Sequence, residues 1–201
     1  SSRWPINSGR AFEIPMSLVH GTEAPSSWVR QWAHLIAPGG RVLDVACGHG
    51  RHMQWLHAQG FQVVGVDRQP EAIAHVAAWG EALLADIENG PWPLAGQQFD
   101  ALVVTNYLWR PLWPRLMESL TPGGVLIYET FAMGQETIGK PSRPDFLLRP
   151  GELLSLCQPL RVIAYEDGYQ PTPPRFVQHI VARRESSSDN LPVRLALSLE
   201  Y

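Results

Sequence analysis

Cysteine is scarce in this chain, with only Cys47 and Cys157 among 201 residues. Two cysteines without metal-ligand spacing exclude a disulfide scaffold and give no metal site, and they point to a reducing, cytoplasmic compartment. Long apolar runs are missing: none approaches the ~20 residues needed to span a bilayer, and the N-terminus has no basic-then-apolar signal pattern. Charge of one sign is missing too, the formal net charge being −3, so the bulk offers no electrostatic footprint for nucleic acid or an anionic membrane. No repeat and no second domain is visible. What the sequence does contain is 45% apolar residues, enough for a real core in one domain. Eight Trp suggest either aromatic-lined pockets or a Trp-rich core.

The organisation follows from periodicity. Residues 1–24 carry no clean pattern and read as an N-terminal arm or lid, 25–185 as the folded domain, and 186–201 as a C-terminal tail. The tail alternates Leu191, Val193, Leu195, Leu197 and Leu199, consistent with an edge strand, a partner contact or a disordered end. Within the domain a helix capped by Ser26 or Ser27 stops at Pro38-Gly39-Gly40. A short apolar strand over 41–46 follows, then Gly48-His49-Gly50 and a helix over 51–59. Strands are predicted over 61–66, 81–85, 99–105 and 125–131, with helices from Pro70 and over about 111–120. The second of these helices ends at Thr121-Pro122-Gly123-Gly124. A long loop over 132–150 reads as functional rather than idle. A short helix over 151–157 precedes a hairpin of strands 160–166 and 176–183, joined by a proline-rich turn. Alternating strands and helices imply α/β architecture: a three-layer, Rossmann-like fold around a mostly parallel sheet.

In such a sheet the ligand crevice lies outside the carboxyl ends of the strands, beside the first. Two glycines at 48 and 50 let backbone amides approach a ligand, which then faces a helix N-terminus. Asp44, Asp67 and Asp86 sit in or at the ends of successive strands, each about one strand–helix unit from the next. Asp67 is placed to accept from ribose hydroxyls, Asp86 from an exocyclic amine such as that of adenine, and Asp44 from an ammonium directly or through water. A ligand with a cationic amine, a ribose and an adenine satisfies all three. The alternative is that the three acids merely cap helix N-termini. A dinucleotide fits less well: the third glycine of its fingerprint would fall at Met53, and Asp44 would repel a pyrophosphate.

The run Val-Leu-Asp-Val-Ala-Cys-Gly-His-Gly-Arg (42–51) resembles the first motif of class I S-adenosylmethionine-dependent methyltransferases. The likeness continues through Val-Val-Gly-Val-Asp-Arg (63–68), Ala-Asp-Ile (85–87), Phe-Asp-Ala-Leu-Val-Val-Thr-Asn-Tyr-Leu (99–108) and Leu-Thr-Pro-Gly-Gly-Val-Leu-Ile (120–127). It covers roughly residues 26–184 in the family's order. The resemblance implies a seven-stranded sheet in the order 3-2-1-4-5-7-6, with strand 7 antiparallel, and S-adenosyl-L-methionine as cofactor. It further implies that Ala46, Cys47, Gly48 and Gly50 wrap the methionine part, with Asp44 near its amino group. Asp67 would hold the ribose, with Arg68 beside the adenine and Asp86 and Ile87 at its edge and ring. Thr105 and Tyr107 would sit near the sulfonium. Phe-Leu-Leu-Arg-Pro-Gly-Glu-Leu-Leu (146–154) is similar to small bacterial members near the tellurite-resistance methyltransferases.

The acceptor is less legible. The Asn/Asp-Pro-Pro-Tyr/Phe signature of amine methylation on nucleic acids is missing, since Asn106 is followed by Tyr107-Leu108-Trp109. Candidates facing the acceptor are Tyr107, Trp109, Arg110 and Glu129, with the loop cations Lys140, Arg143 and Arg149. Arg110 and those cations either clamp an anionic acceptor or are solvated loop charges. His20, His49, His52 and His179 are available as bases or as structural groups. Glu129 is either a perturbed acid near the cleft or a buried, paired structural acid. Cys47 reads as packing. The expected function is in-line methyl transfer to a small-molecule nucleophile, without nucleic-acid or membrane partners. RNA or protein methylation and a non-catalytic cofactor-binding module are the alternatives.

Overall fold

The computed structural model describes residues 23–189 and 192–197. The arm over 1–24, apart from its last two residues, and Leu191 and Leu199 of the tail lie outside the described residues. The elements run α1 (Ser27–Trp32), β1 (Arg41–Val45), α2 (Arg51–Ala58), β2 (Gln62–Asp67), α3 (Pro70–Val76), β3 (Glu81–Leu84), β4 (Phe99–Thr105), α4 (Trp113–Ser119), β5 (Leu120–Phe131), α5 (Glu152–Leu156), β6 (Arg161–Pro171) and β7 (Pro174–Arg183). They build one seven-stranded sheet in the order β3-β2-β1-β4-β5-β7-β6. β1 is parallel to both β2 and β4, whereas β7 is antiparallel to β5 and β6. This is the sheet that the resemblance implies.

Burial on both faces explains why the central strands read as unbroken apolar runs. Leu43, Val45, Leu102, Val104, Leu126 and Tyr128 pack into one cluster with Leu112, Trp113 and Leu116 of the α4 region and Leu153 of α5. Val42, Ala101, Val103 and Ile127 face the other way, into a cluster with Trp28, Val29 and Trp32 of α1, Met53 and Leu56 of α2 and Val76 of α3. Asp44 alternates onto this second face. Ser26 caps α1 as expected, its Oγ accepting from the amides of Trp28 and Val29 at 3.1 and 3.3 Å. Trp28, Trp32 and Trp113 are core residues, which favours the core reading of the tryptophans.

Several boundaries differ from the sequence reading. β5 starts at Leu120 rather than 125, because Leu120 pairs with Phe99 and the supposed turn is stitched to the end of β7. There the Gly123 amide donates to the Arg184 carbonyl at 2.7 Å and the Arg184 amide to the Gly124 carbonyl at 2.9 Å. β6 and β7 extend to Pro171 and Pro174, prolines being tolerated at the tip of an edge hairpin. The 132–150 loop contains two 3₁₀ turns and a bridge between Ala132 and Leu148. The described part of the tail forms no strand; it is held by an Arg183–Asp189 ion pair at 2.8 Å and by His34 Nε2, 2.9 Å from the Ala196 carbonyl.

Gly80, where α3 turns into β3, allows a close backbone approach: a Cβ there would lie 2.1 Å from the Val63 carbonyl oxygen. A backbone atom inside the sheet cannot swing aside. Gly80→Ala should therefore destabilise the domain by about 1–3 kcal/mol in urea unfolding, and an unchanged midpoint would show that β3 is loosely docked.

Candidate active site

The crevice forms where β1, β2, β3 and β4 end. The backbone leaves β1 through Ala46, whose φ is +53°, and then Gly48 and Gly50 at +53° and +80°. The Cys47 amide donates to the Val66 carbonyl at 3.1 Å, and the Gly48 amide donates to Asp67 Oδ2 at 2.9 Å, so the loop is tied to β2. The two glycines do different jobs, which corrects the expectation that both open the loop to a ligand. Space around the Gly48 Cβ position is open, whereas a Cβ at Gly50 would meet Val76 Cγ1 at 2.4 Å. Gly48 gives access, and Gly50 lets α2 and α3 approach.

Two cavities share the walls Ala46, Asp67, Gln69 and Asn106. One, of about 300 Å³, is lined by the loop residues 46–52 with Thr105. The other, of about 390 Å³, runs past Arg68, Asp86, Ile87 and Tyr107 to Leu108, Phe131 and Phe146. Ten of the eleven expected cofactor contacts line one cavity or both: Ala46, Cys47, Gly48, Gly50, Asp67, Arg68, Asp86, Ile87, Thr105 and Tyr107. The eleventh, Asp44, lies behind the loop. It is 1% exposed, and its Oδ2 has no hydrogen-bond partner among the described residues. Burial pushes its carboxyl up to about 8, against the pull of the Arg51 guanidinium and with help from Asp67. Such a group favours a cation or donor placed beside it.

The other acids are already partly employed. Asp67 Oδ1 accepts from the Gln69 amide at 2.9 Å, at the start of α3, leaving its remaining lone pairs toward the cavities. Asp86 is exposed and holds a turn: Oδ1 accepts from the amides of Glu88 and Asn89, and Oδ2 from Asn89 Nδ2. The Asn89 side chain, with those amides, holds its carboxyl below the usual range. Asp86 thus holds a turn rather than a helix N-terminus, and it lines the cavity wall as expected.

The acceptor-side candidates fare differently. Arg110 does not reach either cavity. Its Nε donates to Glu152 Oε1 at 2.6 Å and its Nη2 to Glu152 Oε2 at 2.9 Å, while Nη1 and Nη2 also donate to the carbonyls of Asp145 and Leu147. It is a clamp on the chain's own loop. Arg143 pairs with Asp145 at 2.9 Å and Arg149 with Glu152 at 3.8 Å, and neither these nor Lys140 and Trp109 line the crevice. Glu129 is 2% exposed on the α1 face, 3.4 Å from His179 Nε2 and 3.9 Å from Arg175. That is the buried, ion-paired reading, although Glu129 Oε1 and His179 Nε2 have no hydrogen-bond partner among the described residues. His179 stacks on Trp28 and places Nδ1 3.0 Å from Glu166. His52 Nε2 accepts from the Ser26 amide at 3.1 Å, so the ring proton sits on Nδ1, 3.4 Å from Thr105 Oγ1. Burial holds its pKa down to about 3, and it ties α1, α2 and β4 together as a neutral ring. His49 lines the loop cavity, and His20 lies outside the described residues. Cys47 is buried with its thiol pushed up by burial, as a packing residue would be. Tyr107 donates to Glu88 Oε1 at 3.3 Å, and burial raises its phenol.

Sequence reasoning missed Asn106, Gln69, Glu88, Thr130, Phe131, Pro141 and Phe146 as wall residues. Asn106 carried a usable signal: an Asn directly after a strand tolerates the left-handed φ of +53° that aims the chain between both cavities.

Comparison with known proteins agrees with this geometry. Residues 42–124 match the family described as a methyltransferase domain. Over these residues the chain carries a methyltransferase domain, and its sheet order is the one the class I resemblance implies. A thiopurine S-methyltransferase of Nitrosospira multiformis is 36% identical to this domain over 72 residues, covering 35% of the chain and 30% of the relative. A tRNA U34 carboxymethyltransferase of Methylococcus capsulatus is 33% identical over 139 residues, covering 59% of the chain and 42% of the relative. The matches thus span less than half of these curated relatives. In fold, the methyltransferase domain is similar to TehB from Haemophilus influenzae, with a TM-score of 0.63 at 20% identity over 76% of this chain and 60% of that one. It is also similar to the [4+2]-cyclase SpnF, with a TM-score of 0.61 at 14% identity over 80% and 79%. The family's cofactor is S-adenosylmethionine, and the unpartnered Asp44 carboxylate and the open face of Gly48 fit its ammonium-bearing end.

Because Asp44 keeps its proton in the ligand-free fold up to about pH 8 but loses it near 3.8 when unfolded, the folded state binds more protons between these values. Its stabilising contribution is full below that lower value and is lost as pH rises through the upper one. Unfolding free energy of the ligand-free protein should carry a downward slope from this group between pH 5 and 8, up to about 1.4 kcal/mol per pH unit. Asp44→Asn should remove it. Equal slopes in wild type and variant would show that Asp44 is ionised in the fold.

Proposed function

We propose that this protein transfers the methyl group of S-adenosylmethionine directly to a nucleophilic atom of a small molecule. The observation that carries the reading is the buried, unpartnered Asp44 carboxylate beneath a glycine loop that Asp67 fastens to β2. When bound, the cofactor supplies an electrophilic methyl on a sulfonium. Asp44 receives its ammonium, directly or through one water, and Asp67 accepts from the ribose hydroxyls. Arg68, Asp86 and Ile87 border the adenine, and Thr105 and Tyr107 stand where the two cavities approach each other. The walls orient the two reactants in line, which is where most of the rate enhancement arises in such a transfer.

A small acceptor is favoured over RNA because Arg110, Arg149, Arg175 and Arg183 sit within ion-pairing distance of the chain's own acids rather than lining a rim. The relatives' names span thiopurine and tRNA chemistry, so they leave the acceptor to be argued from the walls.

Asp67→Ala should weaken S-adenosylhomocysteine binding by about 1–3 kcal/mol in calorimetry. Unchanged affinity in a folded variant would remove the ribose assignment. NADH should give no thermal shift at concentrations where S-adenosylhomocysteine does, and the opposite pattern would replace methyl transfer by hydride chemistry.

A further inference from the structure

The two ring nitrogens of His52 have different partners, and one of those partners leaves no choice of tautomer. The Ser26 amide, which can only donate, lies 3.1 Å from Nε2. It cannot turn away, because Ser26 is buried and caps α1, its Oγ accepting from the amides of Trp28 and Val29. Nε2 must therefore keep a bare lone pair, which puts the ring hydrogen on Nδ1. Burial, which holds the ring's pKa down to about 3, keeps a second proton off. Nδ1 faces Thr105 Oγ1 at 3.4 Å and donates to it. A threonine hydroxyl has one hydrogen and two lone pairs, so with a lone pair taken by His52 its hydrogen goes elsewhere. Among the described residues Thr105 Oγ1 has no second hydrogen-bond partner. Thr105 and His52 both line the loop cavity, so that hydrogen is available to a ligand there.

The ligand atom that meets this hydrogen has to be an acceptor. A sulfonium, the group that the resemblance puts beside Thr105, is a cation and offers it nothing. An ammonium is likewise only a donor. At the cofactor's amino-acid end the carboxylate accepts best, since hydrogen bonds to an ionised acceptor are the strong ones. The cavity suits an anion in other ways. Arg51 brings a cation to its wall, held by Glu23 at 3.3 Å. α2 begins at Gly50 without a side-chain cap, so the amides of its first turn have no partner inside the helix. Resting on the methyltransferase reading above, we infer that His52 is a positioning residue, turning the Thr105 hydroxyl into a donor for the carboxylate of S-adenosylmethionine. With the ring hydrogen on Nε2 instead, Nδ1 would take the hydroxyl's hydrogen, and two lone pairs would face the carboxylate and repel it. The amide that opens α1 thus sets, through one ring, what the end of β4 shows to the ligand, and the site selects a cofactor with an intact amino-acid end.

The test compares, by calorimetry on the full chain, S-adenosylhomocysteine with S-adenosyl-3-thiopropylamine, which lacks only the carboxylate. The wild type should prefer S-adenosylhomocysteine by more than about tenfold. Thr105→Val, which removes the hydroxyl at nearly constant shape, should cut that preference about tenfold. His52→Leu should cut it about as much. His52→Gln, whose amide can accept from Ser26 and donate to Thr105, should keep the preference within about threefold of the wild type. Nitrogen NMR of the wild-type imidazoles at neutral pH should show His52 with its hydrogen on Nδ1. A hydrogen on Nε2 would overturn the inference, as would a wild type that binds both ligands equally or a preference unchanged in Thr105→Val. Equal losses for the two ligands in His52→Leu would make the ring a packing group alone and overturn it too. If His52→Leu does not fold, Thr105→Val and the observed tautomer decide the matter. A wild type that binds neither ligand would instead overturn the methyltransferase reading itself.

Discussion

The amide of Gly48 donates a hydrogen bond to the carboxylate of Asp67, and much of the site hangs on that contact. Val45 and Val66 are paired neighbours at the ends of β1 and β2, so the loop after β1 and the acid ending β2 meet with little freedom. Asp44, two residues before that loop, is closed away from water, while the space beside Gly48 is open. A buried carboxylate without a partner is costly, and the fold tolerates it here by raising its pKa. The same feature that weakens the ligand-free protein creates a place for an ammonium. Binding energy and folding energy are coupled at one side chain.

Around this point the sheet acts as a positioning device. β1 and β4 are buried on both faces, so the ends of the strands are fixed by packing rather than by the crevice itself. His52, kept neutral by burial, links the cap of α1 to Thr105 at the end of β4. Arg110 does comparable work on the far side, holding the 144–152 segment so that Phe146 and Pro141 stand in the cavity wall. Both residues have functional-looking chemistry and structural jobs. Removing either should disturb the site through geometry.

The fold was largely legible in the sequence because the signals were local and redundant. Apolar runs bounded by Pro-Gly and Gly-x-Gly marked the strands, and acids at their ends marked the crevice. The crevice walls at the ends of β1, β2 and β3 were equally legible, since a strand and the loop that follows it move together in sequence and in space. The wall formed by the end of β5 and the loop after it was not. Phe131, Pro141 and Phe146 are brought into one wall by a loop whose path depends on Arg110 reaching Glu152, a contact between distant positions that no periodicity announces. Charge was misleading for the same reason: Arg110 and Glu129 were visible as charges, but their partners Glu152, Arg175 and His179 were not visible as neighbours. Boundaries at Leu120 and Pro171 shifted because strand pairing, rather than local preference, decides where an edge ends.

The central claim is that Asp44 and Asp67 hold the two ends of one ligand's aminoacyl and ribose portions. A crystal structure of the protein with S-adenosylhomocysteine tests it most directly. The account predicts density in the crevice with the ligand's ammonium bonded to Asp44, directly or through one water, and its ribose hydroxyls on Asp67. Ligand bound with the ribose away from Asp67, or with Asp44 still lacking a partner, would contradict it.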